Sequence, residues 1–522
     1  MSSDATFQIY HNSKFNVSGS GVVTYDGGEI HKLESQPESM LENLVDSLKL
    51  SLSEHRIWFK LPFESLSDLK MMCNGTDGVE RMCIPENITK AVRITWRKKV
   101  LFTTIELMVK VFIIELMVKV MIIELMDRGL LVLVAILGLL WLCNGESVMK
   151  YGAVGDGIAD DTSAFQKAWE NACKGSSKTG SVHVPAGKVF LLNSLHFSGP
   201  CIPKPLLFTI DGEMIAQSDP NKWENGENGV IPWLIFDQVD GLAIVGRGLL
   251  NGQGKAWWDI HCRDHPGPNC IWLAPTMMTF SNCGNVTLKS LRFRDSAQTH
   301  VLVMGSQNVY ISDIKITSPE ASPNTDGIHI TSSTAVSINH SDIAAGDDCV
   351  SIGDQVNNVT VSFVNCGPGH GVSIGSLGRG GTEVAVENIR VWHVNFTGTT
   401  NGARIKTWPG GTGYVRGIEF FDIRFSSVQN PIIIDQFYGC APNCPQTRKA
   451  VHIEKVRYMK MSGTSATKVA MKLDCSGESV PCSNLFMRDI DLSPADGIDS
   501  VSTLCSFVQG SAQGIIRPSP CL

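Results

Sequence analysis

The chain has 522 residues, including 16 cysteines and 49 glycines, and a formal net charge of −7. Such a length exceeds what one compact hydrophobic core usually supports, so we expect several domains or an architecture that grows by stacking repeats. A hydrophobic content of 43% with only 18% charged residues excludes a largely disordered chain and a long coiled coil. The negative charge gives no support for nucleic-acid binding, which needs a cationic surface, so no nucleic-acid partner is expected.

The first 125 residues carry no catalytic constellation. Near their end, Ile-Glu-Leu-Met recurs at Ile105, Ile114 and Ile123, and a period of nine places successive copies on opposite faces of a helix or a strand. No coherent buried surface results. We therefore predict that residues 1–125 are an extension of uncertain structure, arising from a gene-model artefact or a fusion.

The next segment, residues 126–145, has the order of a secretory signal peptide. Arg128 precedes an uncharged apolar stretch from Leu130 to Cys143, and small or polar residues follow it. The alternative is a membrane anchor, but the stretch is shorter than the ~20 residues that span a bilayer, so no stable membrane insertion is expected. We predict that the functional protein starts at Met126 and that a catalytic domain occupies residues 146–522.

The cysteines are concentrated in this predicted domain, with thirteen of them between Cys173 and Cys521. That density favours disulfides and an oxidising compartment. Zinc is the competing interpretation at Cys440-x-x-x-Cys444, but no histidine–cysteine cluster follows. Since thirteen is odd, either one thiol is free or Cys143 takes part in the pairing.

A capping helix followed by stacked strands is predicted for the domain. Between Asp160 and Cys173, apolar residues recur at helical spacing, and this helix is expected to cover the open amino-terminal end of a solenoid. Further on, a small or polar residue followed by β-branched alternation recurs every 23 to 30 residues, at Asn285, Asn308, Ala335, Asn358, Asn388 and Gly417. Leucine-rich and helical repeats have other patterns and propeller blades are longer, so we predict an all-β fold, a right-handed parallel β-helix.

Four polar clusters occupy successive repeats: Asn324-Thr-Asp326-Gly, Gly346-Asp347-Asp348-Cys, Gly-Pro-Gly-His370-Gly and Arg404-Ile-Lys406-Thr. Asp326 and Asp347 are 21 residues apart, and Asp348 and His370 are 22 apart. Each interval is close to one coil, so these side chains are expected to stack along one outer face. Neighbours on a regular strand point to opposite faces, so a bend at Gly346 is needed to bring Asp347 and Asp348 into one cleft.

Clustered carboxyl groups supply the equipment for glycoside hydrolysis. Their mutual repulsion should leave one of them protonated to a higher pH than a free aspartate, so that acid and base coexist. Arg404 and Lys406 lie two apart on a strand and face the same side, where they either hold a substrate carboxylate or balance the aspartates. His370 is expected near the acid, the alternative being a buried hydrogen-bonding histidine.

In this order and spacing, the four clusters resemble the plant polygalacturonases of glycoside hydrolase family 28. The resemblance extends over roughly residues 147–522 and includes the segments 150–157, 251–254, 373–378 and 431–438. It implies a right-handed parallel β-helix that cleaves α-1,4-galacturonosyl bonds of pectin with inversion and without a metal or other cofactor. A secreted monomer of the plant cell wall is expected, with glycosylation at exposed sequons among Asn285, Asn339, Asn358 and Asn395.

The resemblance also implies roles for individual residues. Asp347 would be the general acid, Asp326 and Asp348 would activate the water, and neighbouring coils would supply the roughly 6.5–9.5 Å that inverting enzymes keep between acid and base. His370 would tune the protonation of the acid. The substrate-binding residues would be Asn324, Arg404, Lys406 and Tyr438. The disulfides of the family suggest the pairs Cys349–Cys366, Cys440–Cys444 and Cys475–Cys482.

Three alternatives remain open at this point. A pectate lyase would share the β-helix but depend on calcium. A related family 28 hydrolase would act from chain ends or on a rhamnose-containing backbone. A non-catalytic pectin-binding β-helix would lack one of the acids, and here none is missing.

Overall fold

The computed structural model describes residues 146–175, 180–226, 229–440, 444, 449–477 and 480–522, preceded by the backbone of strands between residues 5 and 83. The chain divides into two compact units, Met1–Ala135 and Ile136–Leu522. The signal-like segment and the Ile-Glu-Leu-Met repeats lie outside the described residues. The proposed start at Met126 therefore stays a prediction.

The described strands of the first unit are antiparallel. They are β1 (Ala5–His11), β2 (Lys14–Val17), β3 (Val23–Asp26), β4 (Glu29–Ser35), β5 (Ile57–Lys60), β6 (Lys70–Asn74) and β7 (Glu80–Cys83). One sheet has the order β4-β1-β5-β6-β7, and β2 pairs with β3. The unit contains none of the predicted site residues.

The second unit contains the predicted capping helix, α1 (Thr162–Lys174), near its amino-terminal end. Its buried Trp169 packs against Phe197 and Phe236 of the first coils, with ring centroids 5.1 and 5.6 Å apart. The other helical segments are α2 (Lys255–Trp258) and the 3-10 turns Val148–Tyr151, Pro220–Lys222 and Arg379–Gly381. Among the described residues, no helix is both long and apolar enough to cross a membrane.

The strands of this unit follow one another in short segments. They are β8 (Asp156–Asp160), β9 (Gly180–Val184), β10 (Val189–Leu192), β11 (Leu195–Ser198), β12 (Leu206–Ile210), β13 (Glu213–Ala216), β14 (Asn225–Gly226), β15 (Gly229–Val230), β16 (Leu234–Asp237), β17 (Leu242–Val245), β18 (Leu249–Asn251), β19 (Met278–Ser281), β20 (Gly284–Lys289), β21 (Arg292–Arg294), β22 (Val301–Met304), β23 (Gln307–Ser312), β24 (Lys315–Thr317), β25 (Ile328–Thr331), β26 (Thr334–Ala344), β27 (Val350–Ile352), β28 (Val356–Cys366), β29 (Val372–Leu377), β30 (Glu383–Thr397), β31 (Asn401–Thr407), β32 (Thr412–Val428), β33 (Asn430–Asp435), β34 (His452–Ser465), β35 (Val469–Asp474), β36 (Cys482–Pro494), β37 (Ser502–Ser506) and β38 (Val508–Arg517).

Apart from β14 and β15, which form a separate antiparallel pair, these strands wind into a parallel β-helix. An 11-stranded parallel sheet has the order β11-β16-β19-β22-β25-β27-β29-β31-β33-β35-β37, and an 18-stranded sheet wraps the rest of each coil. The predicted repeats align in register, pairing the buried residues Val286, Val309, Val336, Val359, Ile389 and Ile418 in turn. The residues before them have φ between 52° and 66°, a left-handed conformation that favours Asn and Gly. The repeat thus combines a polar bend with a β-branched core position.

Six disulfides are present among the described residues. Cys349–Cys366, Cys440–Cys444 and Cys475–Cys482 are confirmed, and the pairing of Cys440 replaces the zinc alternative. The other pairs are Cys173–Cys201, Cys262–Cys270 and Cys505–Cys521. Among the described cysteines, buried Cys283 is free, which agrees with the first of the two alternatives that the odd count left open.

Candidate active site

Three predicted site residues occupy equivalent positions in successive coils. Asp326, Asp348 and His370 each lie two residues before the positions at which β25, β27 and β29 pair. They form one row with a spacing of 22 residues per coil. Asp326 is therefore aligned with Asp348, and Asp347 is displaced from the row by one residue.

The predicted bend at Gly346 exists and serves its expected purpose. A Cβ on Gly346 would collide with the backbone carbonyl oxygen of Ser322, so only glycine fits. Side-chain atoms of Asp347, Asp348 and His370 lie within 4.8 Å of one another. The separation of roughly 6.5–9.5 Å was expected between carboxyl groups on neighbouring coils, and it stays a prediction. Asp347 and Asp348 are closer than one coil because they share one bend.

Asp348 is a buried carboxylate held by three donors. Arg404 Nη2 donates to Oδ1 at 2.6 Å, Lys406 Nζ donates to Oδ2 at 2.8 Å, and the Ser373 hydroxyl donates to Oδ1 at 2.6 Å. Burial alone would raise the pKa of Asp348, but the two cations outweigh it and lower this pKa to about 2. Asp348 is therefore ionised at any physiological pH.

Asp347 is the more accessible carboxyl group of the bend. Its side chain is 15% exposed, against 1% for Asp348. Asn324 Nδ2 donates to its Oδ2 at 3.2 Å, and His370 Nδ1 lies 2.9 Å from its Oδ1. These two contacts orient the carboxyl group without tying it to an arginine or a lysine.

Asp326 has the opposite electrostatic character to Asp348. Burial raises the pKa of Asp326 well above its ordinary value, and the charges of Asp347 and Asp348 raise it further. The Ser351 hydroxyl donates to its Oδ2 at 2.6 Å and lies 2.7 Å from His329 Nδ1. The carboxyl group that keeps its proton to higher pH, expected from the clustering, is thus Asp326.

The predicted cations face the same side of β31, and both contact Asp348. Their side chains are only 11% exposed for Arg404 and 7% for Lys406. Lys406 Nζ lies 5.1 Å from the centroid of the Tyr438 ring. Arg404 and Lys406 therefore balance the charge of Asp348. This agrees with the interpretation that the pair balances the aspartates. Asp347 adds a second carboxyl group that acts electrostatically on Arg404.

Sequence reasoning missed the polar groups that support the acids. Ser351 and Ser373 pair in register, and Ser373 pairs with Arg404 one coil later. Ser373 lies in the segment 373–378 noted above, and its position one coil before Arg404 was a usable signal. His300 Nδ1 lies 2.9 Å from the backbone oxygen of Asp326, and burial lowers the pKa of His300 to about 4.

Asp347, Asp348 and His370 also have the residue types and spacing of a metal site. Both Asp348 oxygens already accept hydrogen bonds from Arg404, Lys406 and Ser373. A cation would have to compete with two fixed positive charges at this carboxylate. The chemistry of the donor set therefore fits an acid–base pair better than a metal centre.

Comparison with known proteins gives the family. The chain matches the profile of Glycosyl hydrolases family 28 over residues 173–513. A probable polygalacturonase of Arabidopsis thaliana is 40% identical over 376 residues, covering 72% of this chain and 83% of the relative. A polygalacturonase of Malus domestica is 41% identical over 375 residues, covering 71% and 78% respectively.

The fold is also found among solved structures. A hyperthermoactive exopolygalacturonase from Thermotoga maritima is similar with a TM-score of 0.60 and 21% identity, covering 72% of this chain and 92% of that one. The predicted right-handed parallel β-helix is thereby confirmed. The family match extends over more than half of the length of this chain. The chain therefore belongs to family 28 of the glycosyl hydrolases.

Proposed function

We propose that the chain is a polygalacturonase that hydrolyses α-1,4-galacturonosyl linkages of pectin with inversion. The observation that carries the proposal is one group of interacting charges, which contains Asp326, Asp347 and Asp348 together with Arg404 and Lys406. Carboxyl groups provide the acid and the base for glycoside hydrolysis. Arg404 and Lys406 supply the local cations that make an anionic sugar admissible in a net acidic protein. Membership of a hydrolase family argues against the lyase alternative, and the three acids argue against a merely binding β-helix.

Asp347 is the proposed general acid because its carboxyl group is more accessible than that of Asp348 and is bonded to neither Arg404 nor Lys406. Asp348, ionised by Arg404 and Lys406, can only accept a proton. Burial and the neighbouring carboxylates raise the pKa of Asp326, so we propose that Asp326 can hold a proton and pass it to Asp347 when substrate binds. Asp326 and Asp348 are then both ionised and able to activate the attacking water.

Asn324 and His370 position the acid through its two oxygens. The proposed substrate carboxylate is bound by Arg404 and Lys406, with Tyr438 beside Lys406. Arginine offers two parallel donors to a carboxylate, and one of its guanidinium nitrogens already serves Asp348. The substrate therefore completes the hydrogen bonding of a preformed cationic pair.

A secreted enzyme of the plant cell wall is proposed, acting on the pectin polymer as a monomer. Six disulfides support an oxidising compartment. The sequon residues Asn285, Asn358 and Asn395 are exposed and thus accessible for glycosylation. Glycan analysis of the secreted protein tests both points together.

Replacement of the proposed acid, Asp347→Asn, tests the function. General acid catalysis contributes roughly 10²–10⁴-fold, so reducing-end release from polygalacturonate should fall by at least about 100-fold. Asp342→Asn is the matched control, because Asp342 is exposed and bonded only to Asn365 among the described contacts. Equal turnover of D347N and wild type would refute the assignment. Proton NMR of the first product anomer tests inversion.

A further inference from the structure

The loop between β18 and β19, residues 252–277, exposes an apolar patch that the proposed chemistry does not use. Trp272 is 68% exposed, Leu273 is 58% exposed and Ile260 is 36% exposed. Single exposed apolar residues are ordinary, but an exposed indole with apolar neighbours indicates a binding surface. Tryptophan supplies large rigid contact area with little loss of side-chain entropy.

This loop is held in place at several points. The disulfide Cys262–Cys270 closes it, and the Ile271 backbone N–H donates to the Ile260 oxygen at 3.0 Å. Trp258 Nε1 donates to the backbone oxygen of Ser296 at 3.1 Å, which fastens the loop to the next coil. The Trp272 ring rests edge-on against buried His261, with centroids 5.9 Å apart. The exposed side of the Trp272 ring is therefore held in one orientation.

The 252–277 loop lies on the amino-terminal side of the acids. Thr276 is aligned with Thr299 of the next coil, because the Met277 N–H donates to the Thr299 oxygen at 2.9 Å. Thr299 is in turn aligned with Asp326, because the His300 N–H donates to the Asp326 oxygen at 2.9 Å. Thr276 therefore occupies the row position two coils before Asp326. Parallel strands are about 4.8 Å apart, so two coils amount to about 10 Å.

A direct contact joins the loop to the acid-bearing segment. Arg263 Nη2 donates to the backbone oxygen of Ala321 at 2.9 Å, and Ala321 lies three residues before Asn324. Arg404 and Lys406 lie on the opposite, carboxyl-terminal side of the acids. A polymer bound along the row therefore meets the 252–277 loop on one side and the cationic pair on the other.

The charge of the loop differs from that of the cationic pair. Arg263 Nε and Nη2 each donate to a different oxygen of Asp264 at 2.9 Å, and Lys255 pairs with Asp259. These loop cations are thus matched by loop carboxylates, and the exposed area beside them is apolar. Burying a free carboxylate against such a surface is costly, whereas a methyl ester is readily accommodated.

We propose that Trp272 and Leu273 form a subsite that binds an uncharged, methyl-esterified galacturonosyl unit, while Arg404 and Lys406 bind a free galacturonate of the same chain. This inference rests on the proposed polygalacturonase function. It makes partly esterified pectin, with ester and free acid a few units apart, a better substrate than fully de-esterified polymer.

The test compares kcat/KM of the full chain on partly methyl-esterified pectin and on polygalacturonate. One methyl group in an apolar pocket is worth roughly 10–200-fold, so Trp272→Ala should lower the esterified-to-free ratio of kcat/KM by about 10-fold, mainly through KM. Trp272→Phe should retain most of the preference, and Leu273→Ser should lose part of it. Phe507→Ala, an exposed aromatic of another coil, is the matched control.

An equal loss on both substrates, or no loss on either, would overturn the subsite. Binding of methyl-esterified and free oligogalacturonates to Asp347→Asn, with and without Trp272→Ala, separates this result from failure of the proposed function. If wild type cleaves neither polymer, the function is wrong. If D347N then also binds both oligomers equally, the subsite is wrong independently of turnover. Circular dichroism confirms that each variant is folded.

Discussion

At the scale of single residues, the site shows how environment separates identical side chains. Asp326 and Asp348 occupy the same position in successive coils, yet their pKa values move in opposite directions. Two cations lower the pKa of Asp348, whereas burial and two carboxylates raise the pKa of Asp326. One base is therefore always ionised, and one carboxyl group remains available to hold a proton for the acid.

The raised pKa of Asp326 has a consequence for stability. Because the folded state holds the proton more tightly than the unfolded state, the stability linked to this group is greatest below the unfolded pKa of about 3.9 and is lost as pH rises through the folded pKa. Asp326→Asn removes the ionisation, and its amide oxygen can still accept from Ser351. At pH 7 we expect the variant to be more stable by about 1 kcal/mol but inactive.

Urea unfolding at pH 7 and pH 4, combined with polygalacturonate turnover, checks this prediction. The gain should shrink at pH 4, where Asp326 is protonated in wild type. Asp342→Asn should show no comparable pH dependence. A D326N protein that is less stable than wild type at pH 7 would show that Asp326 is ionised and stabilised in the free site.

At the scale of elements, the bend between β26 and β27 is the feature that creates the site. Cys349 follows Asp348 directly and is bonded to Cys366 at the end of β28, at a sequence separation of 17. Removing both thiols, Cys349→Ala with Cys366→Ala, should cost about 2–4 kcal/mol of stability. It should also lower kcat, because the disulfide holds the bend that carries both aspartates.

Chemical unfolding and steady-state kinetics measure the two effects separately. The pair Cys505–Cys521 is a suitable control, since it closes a loop of similar length, 16 residues, in the last coils. Its double alanine variant should lose stability with little change in kcat. If both double variants lose kcat equally, the Cys349 disulfide has no specific role in positioning the acids.

Elements also show where sequence reasoning succeeds and where it stops. The repeats at Asn285 and its equivalents were predictable, because one residue type satisfies a left-handed bend and the next fills the core. The alignment of Asp326 with Asp348 was not predictable. Asp347 is 21 residues and Asp348 is 22 residues from Asp326, and both intervals resemble one coil. The bond from Arg404 to Asp348 spans 56 residues of sequence. It was not predictable, because the coil from Ser373 of β29 to Arg404 of β31 has 31 residues and departs from the interval of 22.

At the scale of the whole molecule, a solenoid is stabilised by contacts between neighbouring coils. The second unit contains the capping helix, both parallel sheets and every proposed site residue. Its described core runs from Val148 to Leu492. All residues proposed for the catalytic site and for the subsite belong to this unit.

A chain beginning at Met126 should consequently fold and cleave polygalacturonate with a kcat/KM within about 2-fold of the full chain, a difference of about 0.4 kcal/mol. Expression of both forms in a secreting host, amino-terminal sequencing and product-length analysis provide the measurements. Asp347→Asn in the shortened chain controls for contaminating activity. The predicted signal segment requires that the mature protein begin after residue 126. A mature chain that retains earlier residues, or a shortened chain that is folded but inactive, would assign the first unit a role in the enzyme.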